Sequence, residues 1–400
     1  MKKITYISYY TFNKIKYDQF GLEYLKQFLD ISIIDLSKSH KKQKEIEGHK
    51  SRFNNMFVLE NVKEIKQTLA KISPDYIVPM GPENFVNEVL EIAQDFKFKS
   101  FRLFNNPAVD TSEELNLHIK IKYFVQLIFV HLDFKSFFFI LFKKIKSFLI
   151  FLVKKIFTQK KKIFYADKIF SAGDKAVPIK LKKGKKNFKI IYIHSVDYQN
   201  YLDYKFQSSK NIDDEKVAVF LDQILLHHPD NKLIQNFDTP VSSKYLDELK
   251  KFFIFIKTKF NYEIIIALHP RCDENTFNLY EDFFKIKCFR NKTVELISKS
   301  NIVIAHPSTT ALSYPIIFRK PLIFITTNEL EKNYYKYVTF RMTSKIIKQP
   351  FVNISKEECL QKLKDLEKID QKGYLKYFSN YIKNQHANDE SLWKCFLQNL

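Results

Sequence analysis

Glycine is scarce in this sequence, with six in 400 residues, and no two of them form a Gly-x-Gly arrangement. The phosphate-binding loops of ATPases, kinases and dinucleotide-binding enzymes need glycine, because backbone amides must approach the phosphate closely. The scarcity argues against these three classes of protein. A phosphate site in this chain has to use a helix N-terminus or basic side chains instead.

The sequence also lacks closely spaced cysteine pairs, a recognisable signal peptide and an Asp-x-Asp motif. The four cysteines are scattered without Cys-x-x-Cys spacing, which argues against a zinc knuckle or a disulfide framework and favours a reducing compartment. The N-terminal MKKITYISYY has no continuous apolar run and no small-residue cleavage site, so we interpret it as a first strand. The cysteine usage and the N-terminus lead us to expect a cytoplasmic protein. Because no Asp-x-Asp motif is present to hold a metal ion, we expect no metal at its site, and we expect no cofactor there.

The composition is that of a large, folded and basic chain. Four hundred residues suit two domains, and 45% hydrophobic with 16% aromatic residues supply the apolar surface that folding needs. The formal net charge of +22 indicates an anionic partner. Nucleic acid, the inner face of a membrane and a nucleotide sugar are all candidates, and charge alone does not choose among them.

The first half alternates short apolar runs with amphipathic segments, which predicts a parallel α/β sheet in a domain spanning 1–180. The predicted strands are Ile4–Tyr9, Ile31–Leu36, Tyr76–Pro79 and Asp167–Gly173, and the predicted helices are Tyr17–Phe28, Asn61–Lys71 and Asn84–Asp95. The lysine-rich segment Lys180–Lys186 is the predicted domain boundary.

The second half repeats this plan, which predicts a second such domain spanning 187–400. The predicted strands are Phe188–Ile193, Val217–Leu221, Glu263–Leu268, Ile302–Ala305 and Leu322–Ile325. The predicted helices are Lys244–Lys257, Thr293–Ser298 and Thr309–Phe318, followed by Lys356–Leu366, Tyr374–Lys383 and Ser391–Gln398. We expect these last helices to cross back onto the first domain.

A segment of about 119–164 interrupts the pattern, because it is dense in Phe, Ile and Leu and carries many lysines but one acid, Asp133. The apolar stretch Tyr123–Phe142 is long enough to span a bilayer, yet polar and charged residues interrupt it. A basic amphipathic insertion lying on an anionic membrane surface accounts best for this mixture. An ordinary pair of core helices and a true membrane span are the alternatives.

Three predicted strands of the second half end in polar residues, at the strand ends where open parallel sheets bind ligands. His269, Pro270 and Arg271 follow the strand of YEIIIALHPR, and Asp222 follows VAVFL. A histidine and an arginine there are suited to a phosphate, and a carboxylate is suited to general base catalysis. The alternative for each is a structural role, such as a helix cap or a buried hydrogen-bonded group.

The third strand ends at Ala305, within IVIAHPSTTALSYP. The residues that follow it include the candidates His306, Ser308, Thr309 and Thr310. Serine and threonine cap helices, and the same helix end can hold a phosphate through its amides and hydroxyls. Glu83, Asp197 and His228 are weaker candidates, which we place on the acceptor side of the site.

The order of VFLDQILLHHPD, ALHPR and IAHPSTTALSYPIIFRKPLIFI resembles that in bacterial GT-B glycosyltransferases of capsule and lipopolysaccharide synthesis. It is most similar to the sialyltransferase and polysialyltransferase groups, over about Val217–Ile325. The resemblance implies the α/β GT-B fold, with two Rossmann-like domains whose parallel sheets face a central cleft. It also implies Asp222 as the base, His269 and Pro270 as the nucleotide motif, and Ser308 and Thr309 as the phosphate motif.

The function implied is inverting, metal-independent transfer of a sugar from a nucleotide sugar, best a CMP-linked nonulosonic acid, to a glycan or glycolipid. The partners expected are the nucleotide sugar, a lipid-linked glycan and the anionic inner face of the cell membrane, without nucleic acid. In sialyltransferases two acids are followed by Gly, whereas Asp222 is followed by Gln223. A Kdo-, UDP-sugar- or CDP-glycerol-type transferase and a catalytically inactive membrane scaffold therefore stay open.

Overall fold

The structure is a computed structural model. It describes residues 1–39, 53–105, 109, 163–182, 188–207, 216–225, 243–307, 309–332 and 334–400. The described residues within Met1–Val109 and Tyr165–Leu400 form one compact unit, to which the following paragraphs are confined. Residues 119–162 of the predicted membrane insertion lie outside the described residues.

The first sheet has seven parallel strands in the order β3-β2-β1-β4-β5-β6-β7. They are β1 (Lys2–Ser8), β2 (Leu29–Asp35), β3 (Met56–Val58), β4 (Tyr76–Met80), β5 (Lys99–Phe104), β6 (Lys168–Ser171) and β7 (Lys189–Tyr192). The inner strands are buried on both faces, as parallel strands covered by helices must be.

The second sheet has six parallel strands in the order β10-β9-β8-β11-β12-β13. They are β8 (Val217–Leu221), β9 (Glu263–Leu268), β10 (Cys288–Arg290), β11 (Ile302–Ala305), β12 (Leu322–Thr326) and β13 (Phe351–Asn353). In both sheets the strand order reverses beside the first strand, which is the arrangement of a Rossmann-like fold.

Helices surround the two sheets. In the first half they are Lys14–Gln19, Leu22–Leu25, Glu64–Ile72, Glu83–Phe96, Ile179–Lys182 and Val196–Gln207. In the second half they are Ser243–Phe260, Glu274–Phe284, Thr293–Lys299, Ser313–Ile317, Asn328–Lys332, Tyr334–Ile347, Glu357–Gln361, Gln371–Tyr377 and Leu392–Gln398. A π-helical turn covers Phe378–Ile382, and 3-10 turns cover Ser37–Ser39 and Thr310–Leu312.

The helices form where apolar residues recur on one face and a polar side chain closes the first turn. Helix Glu83–Phe96 buries Phe85, Val86, Val89, Leu90 and Ala93, which recur at helical spacing. Asn13, Asp273 and Asp370 cap three other helices, each accepting a hydrogen bond from a backbone N–H of the first turn.

The last helices cross back to the first sheet, as predicted. The carbonyl of Asn380 accepts the N–H of Lys175 at 2.9 Å, and that of Ile382 accepts the N–H of Ser195 at 2.8 Å. Trp393 and Phe396 of the final helix are buried in the apolar core of the first sheet. The C-terminal segment is therefore part of the first sheet's core as well as a neighbour of the second.

One strand was predicted in the wrong sheet. The prediction that Phe188–Ile193 begins the second half's sheet is wrong, because β7 pairs with β6 along Lys168↔Lys189 to Ser171↔Tyr192. The predicted helix Tyr17–Phe28 is two short helices, since Gly21 between them adopts φ +57. The partition into domains 1–180 and 187–400 stays a prediction.

Candidate functional site

Three polar strand ends of the second sheet lie side by side. β8 lies between β9 and β11, with Leu221 in register with both Ala267 and Ala305. Neighbouring strands are about 4.8 Å apart, so the ends of β9 and β11 are separated by about 10 Å. The strands that precede Asp222, His269 and His306 are therefore neighbours in the second sheet, and a common phosphate pocket of Asp222, His269 and Ser308 stays a prediction.

Asp222 follows β8 and is enclosed by the protein, with 4% of its surface exposed. Its Oδ2 accepts the N–H of Ile224 at 2.9 Å, which closes a tight turn in which Ile224 adopts φ +42. Its Oδ1 accepts the hydroxyl of Tyr280 at 3.4 Å, a long and therefore weak hydrogen bond. The more weakly bound oxygen of this carboxyl is Oδ1.

Burial raises the pKa of Asp222 to about 7, because the charged carboxylate loses its hydration. Hydrogen bonds from Ile224, Tyr280 and Gln223 oppose this rise and do not cancel it. A carboxyl that titrates near neutrality can exchange a proton with a substrate at working pH, as a general base must.

His269 lies in the turn after β9, and its neighbour Arg271 is exposed. The Nδ1 of His269 accepts the N–H of Arg271 at 3.1 Å, so in the neutral ring the proton is on Nε2. Pro270 between them is exposed and holds the turn. The turn thus places an imidazole and a guanidinium near the edge where the strands end.

His306 connects strands and helix inside the protein. It is fully buried; its Nδ1 donates to the carbonyl of Ile325 at 2.9 Å, and its Nε2 accepts the hydroxyl of Tyr245 at 2.8 Å. Because a carbonyl oxygen only accepts, Nδ1 carries the proton. Both ring nitrogens are engaged, so a contact of His306 with phosphate stays a prediction that would require one of these bonds to open.

Of the predicted phosphate motif, the structure describes Thr309, in the turn after β11. The N–H of Thr309 donates to the carbonyl of His306 at 3.4 Å, and the hydroxyl of Thr309 accepts the N–H of Ala311 at 3.2 Å. Thr310 begins the 3-10 turn. Ser308 and His228 lie outside the described residues, and their predicted roles stay predictions.

The weaker acceptor-side candidates hold other side chains. The carboxylate of Glu83 accepts hydrogen bonds from the two terminal guanidinium nitrogens of the buried Arg102, at 2.7 and 3.1 Å. Asp197 is buried, and burial raises its pKa to about 6, while the hydroxyls of Ser313 and Tyr314 oppose the rise. Both carboxyls therefore have structural partners in the free protein.

A cavity of about 670 Å³ opens at the carboxyl ends of β1 and β4 in the first sheet. Its lining combines an ammonium, hydroxyls and apolar groups: Ser8, Tyr10, Lys16, Gln19, Phe20, Met80, Gly81 and Pro82. The Nζ of Lys16 donates to Ser8 Oγ at 3.0 Å and to the carbonyl of Tyr10 at 3.2 Å, which fixes its charge at the cavity. Sequence reasoning missed Lys16, because one lysine in a short helix gives no signal among so many.

Two features are absent from the described residues. No helix among them combines the length and hydropathy that crossing a bilayer requires. Within the same ranges, no group of three or more His, Cys, Asp or Glu side chains is arranged to hold a metal ion. The predicted metal independence stays a prediction.

No protein-family model matches the sequence, and a search of curated proteins finds no match. The solved structures similar to this chain include a UDP-GlcNAc 2-epimerase of Methanocaldococcus jannaschii in complex with UDP-GlcNAc and UDP, with TM-score 0.50, 16% identity and coverage of 100% of this chain and 99% of that one. MnaA of S. aureus with UDP has TM-score 0.51, 12% identity and coverage of 100% and 98%, and MurG of Acinetobacter baumannii has 0.50, 9%, 100% and 100%. At these identities the likeness shows the fold, and the chain has the GT-B fold predicted from its motifs.

Proposed function

We propose that the protein is an inverting, metal-independent glycosyltransferase that moves a sugar from a nucleotide sugar to a glycan or a lipid-linked glycan of the cell surface. The observation that carries the proposal is the adjacency of β9, β8 and β11 in a GT-B fold. It puts His269 and Asp222 at one edge of a parallel sheet, at the ends where such sheets bind ligands.

The donor's phosphate would meet the turn after β9 and the turn after β11. The N–H of His269 and the guanidinium of Arg271 would stabilise negative charge as it develops on the departing phosphate. Ser308 and Thr309 would add hydroxyl donors from the neighbouring turn. This set of donors can perform the role that a metal ion has in other transferases.

Asp222 would be the general base. The acceptor's hydroxyl would replace Tyr280 as the donor to Oδ1, since that hydrogen bond is the weaker of the two. As the acceptor oxygen attacks the anomeric carbon, its proton passes to Asp222 and the bond from that carbon to the phosphate oxygen breaks. Attack from the face opposite the leaving group gives inversion.

The acceptor would lie in the 670 Å³ cavity of the first sheet, whose volume suits a small-molecule portion of a larger substrate. Tyr10 and Phe20 offer aromatic surface to the apolar faces of sugar rings, and the ammonium of Lys16 suits an anionic group on the acceptor. Glu83, Asp197 and His228 are retained as acceptor-side candidates. The protein would work as a peripheral protein on the anionic inner face of the cell membrane.

For the donor we propose a CMP-linked nonulosonic acid, on the resemblance of the motifs to sialyltransferases. A UDP-sugar is the second candidate, because the similar structures from M. jannaschii and S. aureus contain UDP. Epimerisation of UDP-GlcNAc at C2 is a second candidate function, because the similar M. jannaschii structure is that of a UDP-GlcNAc 2-epimerase. Incubation with UDP-GlcNAc alone distinguishes them, since only an epimerase forms the C2 epimer without an acceptor.

Thermal unfolding with CMP, UDP, GDP and CDP tests the nucleotide. A nucleotide at about 100 times its dissociation constant stabilises the fold by about 2.7 kcal/mol, which raises the melting temperature of a chain of this length by about 3 °C. Arg271→Ala should reduce this shift, and Lys251→Ala, an exposed lysine of helix Ser243–Phe260, should not. Equal shifts in both variants would remove Arg271 from the site.

Transfer assays test the base. Asp222→Asn should bind the nucleotide as the wild type does and lose transfer by about a hundredfold to ten-thousandfold, because general base catalysis typically contributes two to four orders of magnitude. Tyr280→Phe should retain transfer. Turnover of Asp222→Asn at the wild-type rate with an active donor would exclude Asp222 as the base. Nucleotide binding by the wild-type protein without turnover of any donor would favour an inactive scaffold.

A further inference from the structure

We propose that the amino-terminal edge of the first sheet is a surface that docks on an anionic lipid membrane. The inference deepens the peripheral membrane association of the proposed function, on which it rests. It assigns that association to described residues outside the 119–164 segment and at the strand ends opposite the candidate site.

Lysines begin four of the seven strands of this sheet. They are Lys2 of β1, Lys99 of β5, Lys168 of β6 and Lys189 of β7. Because β1, β4, β5, β6 and β7 are consecutive in the sheet, these lysines follow one another over about 19 Å. Lys97, exposed just before β5, adds a fifth cation, and we call these five residues the basic edge.

The charge of the basic edge is not neutralised within the described part of the chain. None of its five lysines has an ion pair there. Among the nearby acids, Asp75 accepts the N–H of Lys3 and Asp167 accepts the N–H of Ser100, each at 2.7 Å; both keep their own charge, and the five lysines outnumber them. The edge therefore presents a net positive charge to its surroundings.

At the amino-terminal strand ends of the second sheet, charged residues form ion pairs. Lys216, just before β8, pairs with Glu367 at 3.6 Å. Glu263, which begins β9, pairs with Lys257 at 2.8 Å. Since both sheets have the same architecture, an accumulation of unpaired lysines is a property of the first sheet and not of the fold.

Apolar groups are interleaved with these charges. A cavity of about 410 Å³ at this edge is lined by Lys2, Pro74, Asp75, Tyr76, Lys97, Phe98 and Lys99. The ammonium groups of Lys2 and Lys99 lie 5.5 and 6.0 Å from the ring of Tyr76. Phe28 beside them, next to Leu29 that pairs with Lys2, is 49% exposed.

This mixture of cations and apolar side chains fits a lipid interface. Lysine stems cover apolar surface while their ammonium groups reach lipid phosphates, and an exposed phenylalanine can enter the boundary between headgroups and acyl chains. A nucleic-acid duplex would be attracted by the charge, but its bases are already stacked on one another and offer no apolar surface to Phe28. The chemistry therefore favours an anionic bilayer over an anionic polymer.

Binding of the full chain to vesicles tests the surface. The probe is a phosphatidylcholine vesicle with about one third phosphatidylglycerol, and the variant is the triple substitution Lys2→Gln, Lys99→Gln, Lys189→Gln. Because each lysine near such a surface contributes about 1 kcal/mol, the triple variant should partition about a hundredfold less strongly. The matched control, Lys251→Gln, Lys364→Gln, Lys372→Gln, has the same net charge and should partition within about threefold of the wild type.

Each other outcome contradicts the assignment. Wild-type binding of the first triple variant, or equal losses in both triple variants, would show that the basic edge does not contact the bilayer. Loss of binding to a DNA duplex with unchanged vesicle binding would make the edge a nucleic-acid surface. Donor hydrolysis in solution should be equal in all three proteins, so a failure of this inference is distinct from a failure of the transferase proposal.

Discussion

Burial governs the behaviour of two carboxyls at the residue scale. The pKa of Asp222 rises to about 7 and that of Asp197 to about 6, because the charged forms lose hydration. Both groups have lower pKa values in the unfolded chain, near 4. Between about pH 4 and pH 7 the folded state therefore binds protons that the unfolded state has released. The free energy of unfolding must fall as pH rises through this window.

Asp222→Asn should remove a large part of this pH dependence. The neutral amide has no charge to desolvate, so the fall in unfolding free energy between about pH 5 and about pH 8 should be smaller in the variant by roughly 2 kcal/mol. Urea unfolding near these two pH values measures the difference. The control is Asp282→Asn, whose carboxyl is 82% exposed, and it should leave the pH dependence unchanged. An unaltered pH dependence in Asp222→Asn would contradict the raised pKa.

A second residue-scale prediction concerns Tyr245, whose hydroxyl donates to the buried Nε2 of His306. Tyr245→Phe removes this donor and should lower the free energy of unfolding by about 1–3 kcal/mol, the usual effect of leaving a buried polar group without its partner. Tyr262→Phe is the comparison, because its hydroxyl bonds the exposed Glu367 and should matter less. Denaturant unfolding of both variants makes the test, and equal losses would argue that the His306 bond has no special weight.

At the scale of elements, Gly21 determines how the final helix fits the first sheet. It joins helices Lys14–Gln19 and Leu22–Leu25 with φ +57, a conformation that glycine adopts without strain. A Cβ at this position would lie 2.1 Å from Nε1 of Trp393. The close approach is possible only because no side chain stands between the turn and the indole.

Gly21→Ala should therefore destabilise the protein by about 2–4 kcal/mol, through backbone strain and overpacking together. Trp393 is the only tryptophan in the chain, so its emission reports directly on this contact. We expect a red-shifted emission in the variant before global unfolding. Gly21→Ala should cost less free energy of unfolding in the Trp393→Leu background than in the wild type, because the indole that it overpacks is then absent. Strict additivity of the two changes would show that they do not interact.

The sequence predicted best those elements whose burial leaves a continuous apolar run. VAVFL, EIIIAL and IVIA read as strands because β8, β9 and β11 are covered on both faces. The edge strands β3, β10 and β13 were missed, since three residues are too few to show a period. The inner strand β5 was also missed, because Lys99, Ser100 and Arg102 interrupt its apolar run. β7 was recognised as a strand but put in the wrong sheet, because a run of residues does not specify its pairing partner.

For the candidate site, the sequence predicts the positions of residues at strand ends but not the side chains that surround them. Strand-end positions of Asp222, His269 and His306 follow from the rule that parallel strands end at one edge, and the sequence was sufficient for that. Which side chains the protein encloses depends on long-range packing. Tyr245 and Tyr280 come from two different helices, and nothing local indicates that they reach His306 and Asp222. Lys16 at the first-sheet cavity was missed because a single lysine gives no signal among so many.

At the scale of the whole molecule, the net charge of +22 acts against folding. Compaction brings like charges together, and the ion pairs between described residues, such as Lys14–Asp18 and Lys285–Asp282, have exposed side chains and contribute little. Added salt screens the repulsion, since the Debye length falls from about 10 Å at 0.1 M to about 3 Å at 1 M. The melting temperature should therefore rise by a few degrees as sodium chloride increases over this range.

The same reasoning predicts how the basic edge contributes to this instability. Lys2→Gln, Lys99→Gln, Lys189→Gln removes three like charges from every second strand of the run β1-β4-β5-β6-β7, so the variant should melt at a higher temperature than the wild type at low salt. Screening already weakens the repulsion at high salt, and the two proteins should there converge. A wild type that loses stability as salt is added would mean that favourable ion pairs outweigh repulsion. In that case the unpaired lysines of the edge would carry no energetic penalty, and their accumulation would need no anionic surface to offset it.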